Sequence, residues 1–566
     1  MNYLDWTVLV SCLLFIVGYG TWVTRKNKDV ESYLKGGNQL KWFTIGLSVM
    51  ATQASAITFI STPGLAFEKG MSFVQNYFGL PIALIIVSAF FIPVYYRLKV
   101  YTAYEYLEHR FDIRIRLLTA SLFLLQRGLA AGITIYAPAI ILSTALGWDL
   151  TLTIIAVGLL VIIYTVSGGS RAVSVTQKWQ MTVILLGMAG VFIFLLQNIS
   201  EVMSIDQAFR LAGSKGKMNI VSFSLDPSER YTFWTGISGG LFLALSYFGT
   251  DQSQVQRYLG GKSVKESRLG LMFNAILKIP MQFFILLTGV LVFLYFEFHQ
   301  PPALFNQNAM EYLKNSEFSN ESEDIQQRMS TTWEQKRKLY ENYREYDSQE
   351  ILHAQAADLD KSIAVDKAKL QSLYASAHNG VEAKESDYVF LYYILNYLPH
   401  GIIGLLLCVI ISAAMSSTSG EINALAATCI IDFYSRLGNP AINQRRQLLM
   451  SRLLTLLWGL LAISFAIFAQ MVENLIEAVN ILGSLFYGTI LGVFLIAFFL
   501  KKVASNAVFI AALISQTGIL LLFFTLGDEI AYLWHNVIGC IGVIVIAVTI
   551  SLFRKDYKKA RPGAGL

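Results

Sequence analysis

Ala51-Thr52-Gln53-Ala54-Ser55-Ala56-Ile57-Thr58 sits in the middle of an apolar run long enough to cross a bilayer, and Ser61-Thr62-Pro63-Gly64 follows it. Small and polar residues at that depth weaken a continuous helix, and Pro63 removes a rung of the hydrogen-bond ladder. A second run is broken in the same manner. There Gly236, Gly239 and Gly240 precede Ser246-Tyr247-Phe248-Gly249-Thr250-Asp251-Gln252, five apolar runs later. Two interrupted spans at corresponding places in two five-span halves are the pattern of an inverted-repeat secondary transporter. Unwound backbone is tolerated at that depth where it lines a cavity or holds an ion.

The rest of the chain supplies the two halves. Of its 566 residues 55% are hydrophobic and 14% charged, with mean hydropathy +0.52, a balance that makes lipid the solvent. Spanning runs fall near 4–24, 41–66, 72–96, 117–146, 150–166, 177–198, 233–258, 270–297, 388–432, 447–469, 474–500, 505–526 and 530–553, thirteen in all. Basic clusters follow alternate runs: Arg25, Lys26 and Lys28; Arg97 to Arg116; Arg171 and Lys178; Arg257 to Arg268; Arg436 to Arg446; Lys501 and Lys502; Arg554 to Arg561. Positive charge collects on the cytoplasmic face. This places the N-terminus outside and the C-terminus inside a multi-pass protein of the cell membrane.

Other classes are excluded by the same residues. The first run lacks a basic leader and a small-residue cleavage site, so it is read as structure. Cys12, Cys408, Cys429 and Cys540 lie within runs and far apart, and the six histidines are scattered, so no metal or disulfide pattern emerges. The net charge of +6 belongs to the loops and implies no nucleic-acid partner. Residues 298–387 are polar and lack a spanning run. Thr332–Arg344 and Ile351–Tyr374 read as helices there. This insertion is expected outside the membrane, as a solvated excursion or as a lid.

The segment Ile410 to Thr428 carries Ser416, Ser417, Thr418 and Ser419 at the centre of an apolar helix. One or two such hydroxyls suit close helix packing. A whole row of them suits a hard cation that has shed its water and needs several oxygens.

Several stretches, in order along the chain, carry a resemblance to the sodium–solute symporter family. They are G-I-T-I-Y-A-P-A at 132–139, Y-T-V-S-G-G-S-R-A-V at 164–173, D-Q-S-Q-V-Q-R-Y-L at 251–259, S-S-T-S-G-E-I-N-A-L-A-A at 416–427 and G-S-L-F-Y-G-T-I-L-G-V-F-L at 483–495. The wording around Ser55–Gly70 is similar to the branch of iodide, monocarboxylate and vitamin symporters. The resemblance runs from about Asp5 to Phe553 apart from the insertion. It implies an all-α fold of about 13 transmembrane helices, a five-plus-five inverted repeat of the LeuT type with discontinuous first and sixth repeat helices. The expected organisation is an extra helix and loop at 1–40, a first repeat at 41–198 and a loop at 199–232. A second repeat at 233–500 is interrupted by 298–387, and extra helices with a basic tail occupy 501–566.

The resemblance also implies a sodium site made of the carbonyls of Ala51, Ala54 and Ala413 and the hydroxyls of Ser416 and Ser417. Five neutral oxygens suit a monovalent ion. Some family members hold a second sodium with an Asp in the fifth repeat helix. This chain has Thr176-Gln177 there, and Gly420 where those members place a hydroxyl. Ser419, Glu421 and Gln177 remain the candidate second ion site. The competing expectation is that Glu421 pairs with a basic residue such as Lys178, leaving one sodium per cycle. One sodium entering down ~100 mV contributes about 2.3 kcal/mol, and a tenfold gradient about 1.4 more. That sustains accumulation of a neutral solute by roughly a few hundredfold, with no cofactor beyond sodium.

The solute is expected near the midplane beside both breaks. Gln53, Ser55 and Thr58 face it from the first broken helix, and Phe73, Gln75 and Asn76 from the next. Tyr247 is placed as an inner gate by its resemblance to a tyrosine of the sugar transporters, against the alternative of plain packing. Asn480 is a further candidate. Arg127, in L-L-Q-R-G-L-A-A-G-I, is a cation inside a span and hence functional by default. It is read either as the partner of a solute carboxylate, as in the sialic-acid branch, or as a side chain snorkelling to the cytoplasmic end. The cargo is then a small organic anion such as sialic acid or a monocarboxylate, or a sugar-like molecule, carried by a monomer. An inorganic anion or vitamin, a membrane sensor and a channel stand as alternatives. The chain ends soon after its last span with no signalling domain, which weighs against a sensor. An enzyme is not expected, because no nucleophile–base pair, metal set or phosphate loop appears in the spans.

Overall fold

The computed structural model describes residues 2–24, 39–341, 349–378, 380, 383, 385–437, 444–468, 474–527 and 529–553. The basic clusters Arg25–Lys28 and Arg554–Arg561 lie outside them. Among the described residues the chain is helical, with one parallel bridge joining Leu40 to Gly261. Nine helices among the described residues are long and apolar enough to cross a membrane, and three shorter apolar ones join them at Tyr3–Ile16, Leu150–Val166 and Thr235–Gly249.

Both breaks occur where the sequence puts them. Helix Trp42–Gln53 stops at Ala54, whose amide still donates to the Met50 carbonyl; Ser55 is extended, and helix Ala56–Lys69 resumes. The second run is helical over Gly240–Gly249, opens at Thr250 and Asp251, and resumes as Gln252–Leu259. Asp251 restarts it: its Oδ1 accepts from the Ser253 amide at 2.8 Å and the Ser253 hydroxyl at 2.6 Å, which satisfies an orphan donor of the new helix. All eight residues of Gln252–Leu259 are buried.

Two expected boundaries differ. The run 388–432 is two helices, Ser386–Tyr397 and Ile402–Thr428, because Pro399 pushes Leu398 into an extended conformation and Gly401 adopts φ 91°. The runs 150–166 and 177–198 stay distinct: both lie in the helical stretch Leu150–Val202, which doubles back between them, since the hydroxyls of Tyr164 and Thr176, twelve residues apart, are 2.8 Å from each other. In the insertion, the helix expected to begin at Thr332 begins at Ser319 and runs to Glu341. Its partner is Gln349–Ala377, and both pack with Gln307–Lys314 around Leu304, Leu313, Ile325 and Leu370.

Packing is inverted relative to a soluble protein. Helices Gln444–Phe468, Ser505–Leu526 and Tyr532–Phe553 present Leu449, Leu457, Leu521, Phe524 and Val545 outward. Helix Ile402–Thr428, with its row of hydroxyls, is buried along almost its whole length. It lies against Ile113–Leu146, Leu150–Val202 and Trp42–Gln53. This puts the polar residues of the sequence at the centre and its leucines on the lipid side.

Candidate functional site

A cavity of about 110 Å³ lies between the two breaks. Gln53, Ser55 and Thr58 line it from the first, Tyr247 and Phe248 from the second. Asn76, Arg127, Glu421, Asn480 and Tyr487 complete its polar wall. Of the expected solute residues, Phe73 and Gln75 lie outside it. Phe73 packs edge-on against Tyr77 and Tyr231. The Gln75 amide is held by the Tyr231 carbonyl at 2.8 Å and the Ser222 amide at 3.0 Å. By contrast, Gln53 Oε1, Asn76 Oδ1 and Asn480 Nδ2 are buried with no partner among the described residues. Unpaired buried polar atoms cost about 1–3 kcal/mol each, a cost that an incoming solute removes.

Of the residues of the expected sodium site, Ser417 meets the backbone at the first break. Ser417 donates its hydroxyl to the Thr52 carbonyl at 2.8 Å, and the neighbouring Ser416 hydroxyl is buried without a partner. Ala51, Ala54 and Ala413 are buried on the same two helices or at the break. Helix ends leave carbonyls without intrahelical donors, so this junction concentrates neutral oxygen.

The candidate second ion site is drawn apart. Gln177 accepts from the Ser48 hydroxyl and donates to the Thr52 hydroxyl at 3.1 Å. Ser419 donates back to the Ser416 carbonyl at 3.2 Å. Glu421 pairs with a basic residue, Arg127; the side chain of Lys178 lies outside the described ones. Glu421 Oε1 accepts from Arg127 at 3.1 Å and Oε2 from the Thr134 hydroxyl at 2.8 Å. The substitution of a hydroxyl residue by Gly420 has a steric reason, since a Cβ there would collide with the Arg257 guanidinium.

Arg127 does not snorkel. It is 3% exposed and donates from Nε to Asp251 Oδ2 at 3.0 Å, and from Nη2 to the same oxygen and to the Tyr487 hydroxyl. Tyr487 in turn donates to Asp251 at 2.6 Å. One guanidinium thus joins the second break, helix Ile402–Thr428 and helix Leu475–Phe499. An anion finds one uncommitted Nη1 N–H on Arg127 and would have to displace a carboxylate for a bidentate grip.

Asp251, Tyr487 and Lys278 are site residues that sequence reasoning did not single out. Lys278, fully buried in helix Val264–Phe298, holds its amine 5.4 Å from the ring centre of Tyr77, which lines the cavity. Asp251 and Lys278 carried the same signal as Arg127, a charge within an apolar run.

A family model for sodium:solute symporters matches residues 33–309 and 365–515, leaving out only the ends and the middle of the insertion. The chain belongs to the sodium:solute symporter family. Among curated members of related sequence, the human sodium/iodide cotransporter is 34% identical over 275 residues, 48% of this chain and 42% of that one. The sodium-coupled monocarboxylate transporter 2 of Bos taurus is 33% identical over 278 residues, 48% of this chain and 45% of that one. A putative sodium-dependent multivitamin transporter of Drosophila melanogaster is 25% identical over 505 residues, 88% of this chain and 71% of that one. The chain matches less than half the length of the first two.

The fold is that of a Na⁺-coupled sialic acid symporter solved in a substrate-bound, outward-open state. The TM-score is 0.73 at 22% identity, with 98% of each chain covered. A nucleobase-cation-symport-1 family transporter in a closed conformation superposes less closely, with a TM-score of 0.52 at 11% identity over 94% of this chain and 96% of the other.

Proposed function

We propose that this symporter imports a small polar solute driven by one sodium ion per cycle, by alternating access around the cavity at the two breaks. Residues 41–198 and 233–500 act as the two inverted repeats within thirteen crossings, with the N-terminus outside and the insertion on the outer face. Sodium is held by the carbonyls of Ala51, Ala54 and Ala413 and the hydroxyls of Ser416 and Ser417. The observation that carries this reading is the Ser417–Thr52 hydrogen bond beside the unpartnered Ser416 hydroxyl. An ion at that junction gains several oxygens at once, and in doing so ties the broken helix to the helix that carries Ser417.

A single sodium is supported by the engagement of Gln177 with Ser48 and Thr52 and of Glu421 with Arg127 and Thr134. Both side chains are already anchored by protein partners, which weighs against their recruitment to a second ion. Small cargo is supported by the cavity's 110 Å³, against the ~300–1,000 Å³ of ordinary small-molecule sites. The protein works as a monomer in the bilayer and needs no cofactor beyond the coupling ion. Uptake of labelled small solutes into proteoliposomes, with and without an inward sodium gradient, tests the reading. Accumulation above the external concentration that requires sodium supports it. Equilibration without accumulation points to a channel instead.

A further inference from the structure

We propose that the cargo of this cavity carries an ammonium group, seated between the Glu421 carboxylate and the rings of Tyr247 and Tyr487. The inference rests on the reading of the cavity as the solute pocket.

The donor inventory comes first. A guanidinium has five N–H donors. In Arg127, Nε and Nη2 are committed to Asp251 and Tyr487, and one Nη1 N–H goes to Glu421 Oε1. A single Nη1 N–H is left. Each Glu421 oxygen accepts one hydrogen bond, from Arg127 or from Thr134, and keeps lone pairs for more. The cluster therefore offers a solute one donor and several carboxylate acceptors.

Charge points the same way. Arg127 is shared between two carboxylates, Asp251 and Glu421, and it is the one described ion-pair partner that either of them has. Two further buried cations stand nearby, Lys278 beside Tyr77 and Arg257 against Gly420, and neither forms a described ion pair with Asp251 or Glu421. Glu421 is 4% exposed, so water does little to offset the excess negative charge of the trio. A monoanion would add to it. A neutral polyol would hydrogen-bond to it without cancelling it. An ammonium group cancels it and supplies N–H donors to the free lone pairs.

The walls fit a small cation. Tyr77, Tyr247, Phe248 and Tyr487 surround the cavity, and the ring centres of Tyr247 and Tyr487 are 6.1 Å apart. Aromatic faces attract cations from within about 6 Å. The cavity, at about 110 Å³, is small beside the ~300–1,000 Å³ of ordinary small-molecule sites, which favours a compact solute. Amino acids and simple amines share this chemistry and this size.

The test uses the full chain in proteoliposomes with an inward sodium gradient and four labelled probes: alanine, ethanolamine, lactate and erythritol. Sodium-induced change in tryptophan fluorescence, recorded without any solute, reports ion binding separately. Sodium-dependent accumulation of alanine identifies an amino-acid site and that of ethanolamine a simple-amine site. Either supports the proposal, and Glu421→Gln then lowers that uptake at least tenfold while the fluorescence response to sodium persists. Accumulation of lactate or erythritol with neither amine overturns the proposal and leaves symport standing. Sodium binding with no uptake of any probe also overturns it. Absence of the sodium response removes the symporter reading itself.

Discussion

The hydroxyl of Ser417, in the middle of helix Ile402–Thr428, donates to the carbonyl of Thr52 in the last turn before the first break, 2.8 Å away. This bond places the hydroxyl proposed to bind sodium against the backbone that the break frees. Ser417→Ala is expected to raise the sodium concentration for half-maximal uptake about tenfold, equivalent to about 1.4 kcal/mol. Ser412, equally buried on the same helix, faces Cys408 at 3.8 Å. Its replacement by Ala is expected to change that concentration less than about twofold, within the small range of a weakly bonded site. Equal effects from the two substitutions would count against the sodium site.

Gln177 bridges Ser48 and Thr52 with both ends of its amide. Gln177→Asp removes the donor to Thr52, at a cost of about 1 kcal/mol, and does not release Glu421 from Arg127 and Thr134. The Hill coefficient for sodium is therefore expected to stay at the wild-type value. A rise toward two would show that a carboxylate at this position recruits a second ion.

Gly64 lies under the carbonyl of Ser386, so close that a Cβ would overlap it, whereas a Cβ on Gly190 meets nothing within 4 Å. Gly64→Ala has to separate the outer half of the first broken helix from the start of helix Ser386–Tyr397, and overpacking of this kind costs about 1–3 kcal/mol. Gly190→Ala, in a helix interior, is expected to be neutral or to stabilise by up to about 1 kcal/mol. Melting temperatures of the detergent-purified variants should move in opposite directions. A Gly64→Ala variant that melts with the wild type would contradict this contact.

Lys336 ties the insertion to the membrane helices through Glu297 at 2.7 Å and to its neighbour helix through Asp360 at 2.5 Å; Lys215 also pairs with Asp360. Burial alone would raise the Asp360 carboxyl, but Lys336 and Lys215 outweigh it and hold it below the usual range. A carboxyl whose folded value is depressed adds stability above its unfolded value of about 3.9, and that stability is lost as pH falls through the folded value. Hydrogen exchange in 349–377 should thus stay slow at neutral pH and rise below about pH 4. Lys336→Met should bring fast exchange at neutral pH, because it leaves two largely buried carboxylates short of a cation.

The breaks and the hydroxyl row were legible because each violates the apolar pattern of its own segment: Ala54-Ser55 and Thr250-Asp251 are local events. Partnership was not. Glu421 and Arg127 are separated by nearly three hundred positions, and helical spacing says which face each occupies without saying what lies opposite. A basic partner for Glu421 was therefore expected, but Arg127 was not named as that partner. Gln75 illustrates the converse, since a polar residue in a half-apolar segment reads equally as a ligand or as a clamp for backbone. Only its contacts with Tyr231 and Ser222 decide for the clamp.

The insertion folds around apolar residues of its own, including Leu313, Ile325 and Leu370, and is fastened to the transporter body by buried ion pairs. Most chains of this type leave the electron microscope little to align on beyond a featureless detergent belt. This one carries a built-in fiducial. An antibody fragment raised against the 319–341 and 349–377 helices would enlarge that landmark without touching the cavity, so images of the ion-loaded and ion-free states could be sorted in an unmodified protein.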